Sequence, residues 1–236
     1  MRQTTIGMTM VALAAAALGC SASTVTQPVS AVAGGVSGVG SAVAGGVAGA
    51  GSAVAGAAVG PGGLIAVLRP VSSTGVVNTS VSLGKVTFKQ ATAGGPLTVL
   101  AQLSGVSVAG LEAVQVTDGG GVFYPHGLHI HSGGSCASTT QDGKVVPAGA
   151  AGPHYDPAGT NSHKGPEGTG HAGDLPNVRI LNDGTGIMEA RTSRFTLGEL
   201  VGKTVVLHAN PDNYTDTPAN GGSGARIGCG VIEAAR

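Results

Sequence analysis

The sequence predicts an all-β domain, an antiparallel β-sandwich or barrel carrying long functional loops. Short apolar or alternating runs recur from residue 64 onward and are cut by turns such as Ser-Ser-Thr-Gly and Ala-Gly-Gly-Pro. No ten-residue stretch shows a convincing helical period. Glycine is abundant, at 43 residues, while aromatic residues make up 3% and Trp is absent. That composition suits many glycine-supported turns better than a large aromatic core.

The chain starts with a weakly positive leader, Met1-Arg2, and an apolar run over 8–18 that ends at Gly19-Cys20. This is the shape of a secretory signal peptide, residues 1–19, too short for a mature membrane span. Ala17-Leu18-Gly19-Cys20 resembles a bacterial lipobox, although Leu is preferred where Ala17 stands. Cys20 is therefore expected to carry lipid and anchor the chain to the cell envelope, on the periplasmic or the surface side. An ordinary cleaved signal with an incidental cysteine is the alternative. With Cys20 lipidated, Cys136 and Cys229 remain. An even pair in an exported protein reads as a disulfide, and closing so long a loop is worth about 3–5 kcal/mol in the chain-entropy picture. Two buried free thiols are the other reading.

Three eleven-residue repeats follow: SAVAGGVSGVG (30–40), SAVAGGVAGAG (41–51) and SAVAGAAVGPG (52–62). They have too little bulk for a core of their own, and 20–62 reads as a flexible tether. Small residues at four-residue spacing would also suit close helix packing in a membrane. Residues 63–236 form the folded domain. Its strand signals fall at 65–68, 81–88, 97–103, 128–131, 178–181, 186–191 and 204–209. The stretch 132–174 has hardly any apolar periodicity, and a loop of that length in a compact domain needs something besides a core to order it. Twelve basic side chains balance twelve acidic ones, so no nucleic-acid partner is expected.

All seven histidines lie between 126 and 208. His129 and His131 are two apart in a strand signal, so both imidazoles share one face. His208 ends another strand signal. Three histidines on two strands make a rigid platform that suits copper. His154, His163, His171 and Asp174 come from the long loop, and three nitrogens with one carboxylate suit tetrahedral structural zinc.

Four segments together, HGLHIHSGGSC (126–136), AGPHYDPAGTNSHKGPEGTGHAGDLPNV (151–178), VVLHANPDNYTD (205–216) and GGSGARIGCGVI (221–232), resemble the copper/zinc superoxide dismutase family in its bacterial exported branch. The resemblance covers most of 63–236. It implies a Greek-key, immunoglobulin-like β-sandwich, and dismutation of superoxide to dioxygen and hydrogen peroxide by one redox-cycling copper beside one structural zinc per subunit. By position it makes His129, His131, His154 and His208 the copper ligands. His154 bridges to zinc, which His163, His171 and Asp174 complete. Asp212 matches a carboxylate that orients one histidine of each metal. Arg226 matches an arginine that attracts the anionic substrate, and His154 the group that delivers a proton. His126 is implied to be structural, hydrogen-bonding near the site. Cys136 and Cys229 match the family's disulfide, which pins the long loop to the strand carrying Arg226.

Some features fall outside the pattern. Between 209 and 225 the only charged residues are Asp212 and Asp216, so substrate steering rests on Arg226, with Lys144 or Lys164 as candidates from the other loop. The family includes homodimers and monomers, and no long apolar stripe in the sequence announces an interface. A metal-buffering protein on the same scaffold is the main competitor. It is disfavoured because His208 and Arg226 are both kept. A copper-only relative is disfavoured by His163, His171 and Asp174, and a structural envelope protein by the complete metal set.

Overall fold

A computed structural model describes residues 63–115 and 121–236. The leader, Cys20 and the repeats lie outside the described residues. In chain order the strands are β1 (Leu64–Pro70), β2 (Gly84–Gln90), β3 (Leu97–Leu103), β4 (Val114–Gln115), β5 (Val122–His126), β6 (Leu128–His131), β7 (Thr139–Gln141), β8 (Lys144–Val146), β9 (Val178–Ile180), β10 (Gly186–Thr192), β11 (Thr204–His208) and β12 (Arg226–Ala234). One helical turn, α1 (Leu197–Leu200), separates β10 from β11. Among the described residues no helix is long and apolar enough to cross a membrane.

Ten strands form one sheet in the order β4-β5-β9-β10-β3-β2-β1-β12-β11-β6. Every ladder in it is antiparallel. β6 closes one edge and β5 lies beside the other, yet only Gly127 separates them in the chain. Strands pair about 4.8 Å apart, and one residue advances the chain by only about 3.8 Å. A flat sheet cannot meet both conditions. The sheet curls until its ends approach, giving a Greek-key half-barrel with the core inside.

Alternation decides what fills it. β1 turns Leu64, Ala66 and Leu68 inward, β2 Val86 and Phe88, and β3 Leu97, Val99, Ala101 and Leu103. β6 and β11 are buried on both faces. Their inner face adds Leu128, Ile130, Val205 and Leu207 to the main core. Their outer face carries His129, His131 and His208, with Val206 paired in register opposite His129. The long loop covers that outer face, and a small second cluster of Val71, Ala148, Ala151, Val206 and Cys229 fills the space beneath it. Cys136 and Cys229 form a disulfide that ties the start of the loop to β12.

The loop is not wholly irregular. β7 and β8 form a hairpin turning at Asp142-Gly143, both with positive φ (49° and 73°). Asp-Gly between two short strands is the sequence signal for such a turn. β12 also escaped the alternation pattern, because Gly228 and Gly230 interrupt it. Gly230 is required there: a Cβ would lie 2.5 Å from the Val67 carbonyl oxygen on β1.

Candidate metal centre

β6 supplies His129 and His131 from its outer face. His208 enters at the end of β11, where the register with β12 shifts between Leu207 and His208. The long loop runs beside β6 and makes two isolated backbone pairings with it, His131 with His154 and His129 with Asp174. His163 and His171 bracket a small subloop closed by the His171 N–H donating to the Ser162 carbonyl (2.8 Å). Six of the seven histidines and both key carboxylates thus meet. His129, His131, His154 and His208 present ligand atoms within 4.8 Å of one another, and so do His154, His163, His171 and Asp174. His154 belongs to both sets.

Hydrogen bonds fix which nitrogen of each ring faces inward. The Nδ1–H of His131 donates to the Gly152 carbonyl (2.8 Å) and that of His208 to Gly224 (3.1 Å). Their Nε2 atoms are left facing each other, 3.4 Å apart. His129 is turned the other way round. Its Nε2 lies 2.8 Å from Asp212 Oδ2, which leaves Nδ1 for the centre. His163 Nε2 meets the same carboxylate at 2.8 Å. His154 Nδ1 lies 2.9 Å from Asp174 Oδ1, so its Nε2 is the atom left for the β6–β11 set.

The fit to metal ions is tested by what these atoms lack. Among the described residues, five buried side-chain atoms lack a hydrogen-bond partner: His126 Nε2, away from the ligand sets, and His129 Nδ1, His163 Nδ1, His171 Nδ1 and Asp174 Oδ2 within them. His163 Nδ1 and Asp174 Oδ2 lie 3.0 Å apart, but their direction is too poor for a hydrogen bond. Each such group costs about 1–3 kcal/mol if left unsatisfied. Four of them converging on two points is the signature of a donor set built for cations, and the residues fit copper and zinc.

For three of the rings the electrostatics agree. Burial pushes His131 and His208 well below their ordinary values, helped by neighbouring histidines and by Arg226. Burial also holds His154 down to about 4. All three are therefore neutral near pH 7, with lone pairs free. Burial opposes the charge on His163 as well, but the adjacent Asp174 carboxylate and the hydrogen bond to Asp212 outweigh it and hold the ring up at about 9. Both aspartates are fully desolvated, which favours their neutral forms, yet the bonds from histidine keep them well below the usual carboxylate range.

Arg226 starts β12 and is half-buried. Its guanidinium donates to the Ala148 and Gly152 carbonyls, both at 2.7 Å. The Gly152 oxygen also accepts from His131, so one carbonyl holds an arginine and a ring of the β6–β11 set. His126 donates through Nδ1 to the His208 carbonyl (2.8 Å) and takes part in neither ligand set. Lys164 is ion-paired with Asp216, which reduces what it can offer as a steering charge. Lys144 lies in the exposed hairpin strand β8. Sequence reasoning missed Asn177. Its side chain pairs with the Asp212 backbone in both directions, Nδ2 donating to the carbonyl and Oδ1 accepting the N–H, each at 2.8 Å. Gly221 was missed too: its φ is +69°, and a Cβ there would collide with the Asp212 carboxylate.

The family model described as copper/zinc superoxide dismutase matches residues 82–232. The chain belongs to the copper/zinc superoxide dismutase family. A superoxide dismutase [Cu-Zn] of Photobacterium leiognathi is 50% identical over 110 residues, covering 46% of this chain and 64% of that protein. The match thus spans slightly less than two thirds of that relative. Superoxide dismutase [Cu-Zn] 2 of Salmonella typhimurium is 42% identical over 146 residues, 57% of this chain and 84% of its own. The solved copper/zinc superoxide dismutase from Brucella abortus superposes with a TM-score of 0.59 at 34% identity, covering 72% of this chain and 98% of that one. For this member of the copper/zinc superoxide dismutase family, the structure brings together every residue that the sequence assigned to the two ligand sets.

The ring charges set a pH dependence for the chain stripped of metal by a chelator. His131, His154 and His208 have folded values below the usual 6.5, so the unfolded chain binds more protons there. Stability is therefore lost as pH falls from 6.5 towards 4. His163 has the opposite sign: its contribution is full below 6.5 and is lost as pH rises towards 9. Urea midpoints measured between pH 4 and 9 are expected to peak near 6.5. A midpoint that does not change on the alkaline side would contradict the assignment for His163.

Proposed function

We propose that the chain dismutes superoxide: two superoxide anions and two protons give dioxygen and hydrogen peroxide. The observation that carries this reading is the pair of four-ligand sets sharing His154. Copper would be held by His129 through Nδ1 and by His131, His208 and His154 through Nε2. Zinc would be held by His163, His171, Asp174 and the Nδ1 side of His154. What the metals supply when bound is a one-electron couple from copper and a fixed dication from zinc.

The chain's own residues do the rest. Arg226 is locked by two carbonyls beside the copper set, close enough for its charge to depress His131 and His208. It docks and orients a small anion, and a charge so placed raises association rates by about ten- to a thousandfold. His154 is the one ring with a nitrogen turned to each set, and whenever its Nε2 is not held by copper that nitrogen can hold a proton and hand it over to the reduced product. Asp212 and the carbonyls of Gly152 and Gly224 keep the remaining rings in the tautomers that point lone pairs inward. Metal buffering alone would need the ligands but gives Arg226 no role.

Export supports the same reading. The Cys136–Cys229 disulfide suits an oxidising compartment, and the leader with Ala17-Leu18-Gly19-Cys20 supports a lipid anchor in the envelope, with 20–62 as the tether to a 63–236 catalytic domain. A homodimer is supported by an apolar face near β5, β9 and β10. Val114, Leu181 and Ile187 are exposed there, around a groove of about 580 Å³ lined by Phe123, Pro125 and Arg179. Ile187→Asp should turn a dimer into a monomer in sedimentation. A wild-type chain that already sediments as a monomer removes that part of the reading.

Activity is tested with the full chain loaded with copper and zinc. Copper-dependent superoxide consumption should collapse in His208→Ala. Arg226→Gln should keep bound copper yet lose about tenfold or more in kcat/KM, with a weaker dependence on ionic strength. Tight binding of both metals with no consumption by the wild type would leave a metal-buffering protein.

A further inference from the structure

We infer that Arg194 is a positioning residue for the zinc half of the centre; this rests on the metal reading proposed above. Arg194 stands in the short connection between β10 and α1, next to Phe195, whose side chain is in the main core. Its guanidinium reaches away from the core into the subloop between His163 and His171. Nη1 donates to the carbonyls of Gly165 (3.0 Å) and Pro166 (3.1 Å), and Nη2 to that of Gly170 (2.7 Å). One planar fork therefore holds both shoulders of the subloop.

The sequence of the subloop explains why it needs this. Lys164-Gly-Pro-Glu-Gly-Thr-Gly170 contains three glycines and offers the main core no side chain. Its ends are fixed by the His171-to-Ser162 backbone bond and by the two histidines themselves. Between those ends, glycine leaves the backbone free to choose other conformations. On one side Gly165, with φ +69°, packs against Tyr214. On the other, Arg194 supplies charge-assisted hydrogen bonds to three carbonyls. No carboxylate pairs with Arg194 among the described residues, so its charge is committed to those oxygens. Gly170 directly precedes His171, and Gly165 is two residues after His163. The fork thus fixes the separation of the two ring-bearing strands of the loop and ties it to the rigid sandwich. A lysine cannot copy this, because a single ammonium lacks the planar fork that spans the two sides.

The test uses the full chain, Arg194→Ala and Arg194→Lys, with cobalt(II) as the spectroscopic probe of the zinc half. Zinc affinity is read by chelator competition and copper(II) affinity separately. Arg194→Ala should weaken zinc by about ten- to a hundredfold, as loss of an orienting partner does. The cobalt d–d absorption should lose its tetrahedral intensity, while copper affinity and the melting of the metal-stripped chain stay near wild type. Arg194→Lys should recover only part of the zinc affinity. Unchanged zinc affinity and cobalt spectrum in Arg194→Ala, with the wild type binding both metals, overturn this inference alone. So does an equal loss of melting temperature in the metal-stripped and metal-loaded variants, which would make Arg194 merely structural. A wild type that takes up neither zinc nor cobalt overturns the metal reading, and this inference with it.

Discussion

The carboxylate of Asp212 lies buried between His129 and His163 and accepts a ring N–H from each, at 2.8 Å on either side. A charge out of water costs several kcal/mol unless it is closely paired and hydrogen-bonded. Here the compensation comes from the two imidazoles and from the Tyr214 backbone N–H at 2.7 Å. The arrangement decides the tautomer of one ring in each ligand set, and so decides which nitrogens remain for metal. Asn177 holds the Asp212 backbone by a two-way amide pairing, and Gly221 leaves room for the carboxylate where any side chain would strike it. The two halves of the centre are thereby one electrostatic unit, with His154 as a second link through Asp174.

The half-barrel exists to present this unit. Its closure across Gly127 sets β6 beside β11 with both faces covered, an apolar face inward and an imidazole face outward. The loop over that outer face cannot rely on apolar burial, since it carries little. It is held instead by the disulfide to β12, by Arg226 bonded to Ala148 and Gly152, and by Arg194 bonded to the subloop. The Gly152 carbonyl accepts from both His131 and Arg226. The placement of the Arg226 charge and the orientation of the His131 ring therefore depend on the same backbone position, where φ is +72° and ψ −157° and glycine alone is at ease.

The parts of this architecture that follow local rules could be read from the sequence. β1, β3, β6, β9, β10 and β11 alternate or run apolar, and each forms close to where the pattern puts it. β2 begins at Gly84, a few residues after its apolar run starts. β12 was hidden because close packing on β1 demands glycine where alternation would demand an apolar residue. β5 was hidden by Pro125 and by side chains that are only half-buried. The candidate ligand residues were legible because imidazole and carboxylate advertise their chemistry. Asn177, Gly221 and Arg194 were not: Asn177 and Arg194 act on backbone atoms 24 to 35 residues away, Gly221 acts by leaving room for the Asp212 carboxylate, and no spacing in the chain encodes those meetings.

Asp212→Asn shows whether Asp212 makes the two ligand sets one unit. An asparagine preserves shape but removes the negative charge and turns one acceptor oxygen into a donor, which would face N–H groups that now donate to the carboxylate. Copper and zinc affinities of the full chain would be measured separately by chelator competition. Both affinities should fall together, each by about ten- to a hundredfold. Loss of one metal with the other unchanged, or no loss of either, would contradict this.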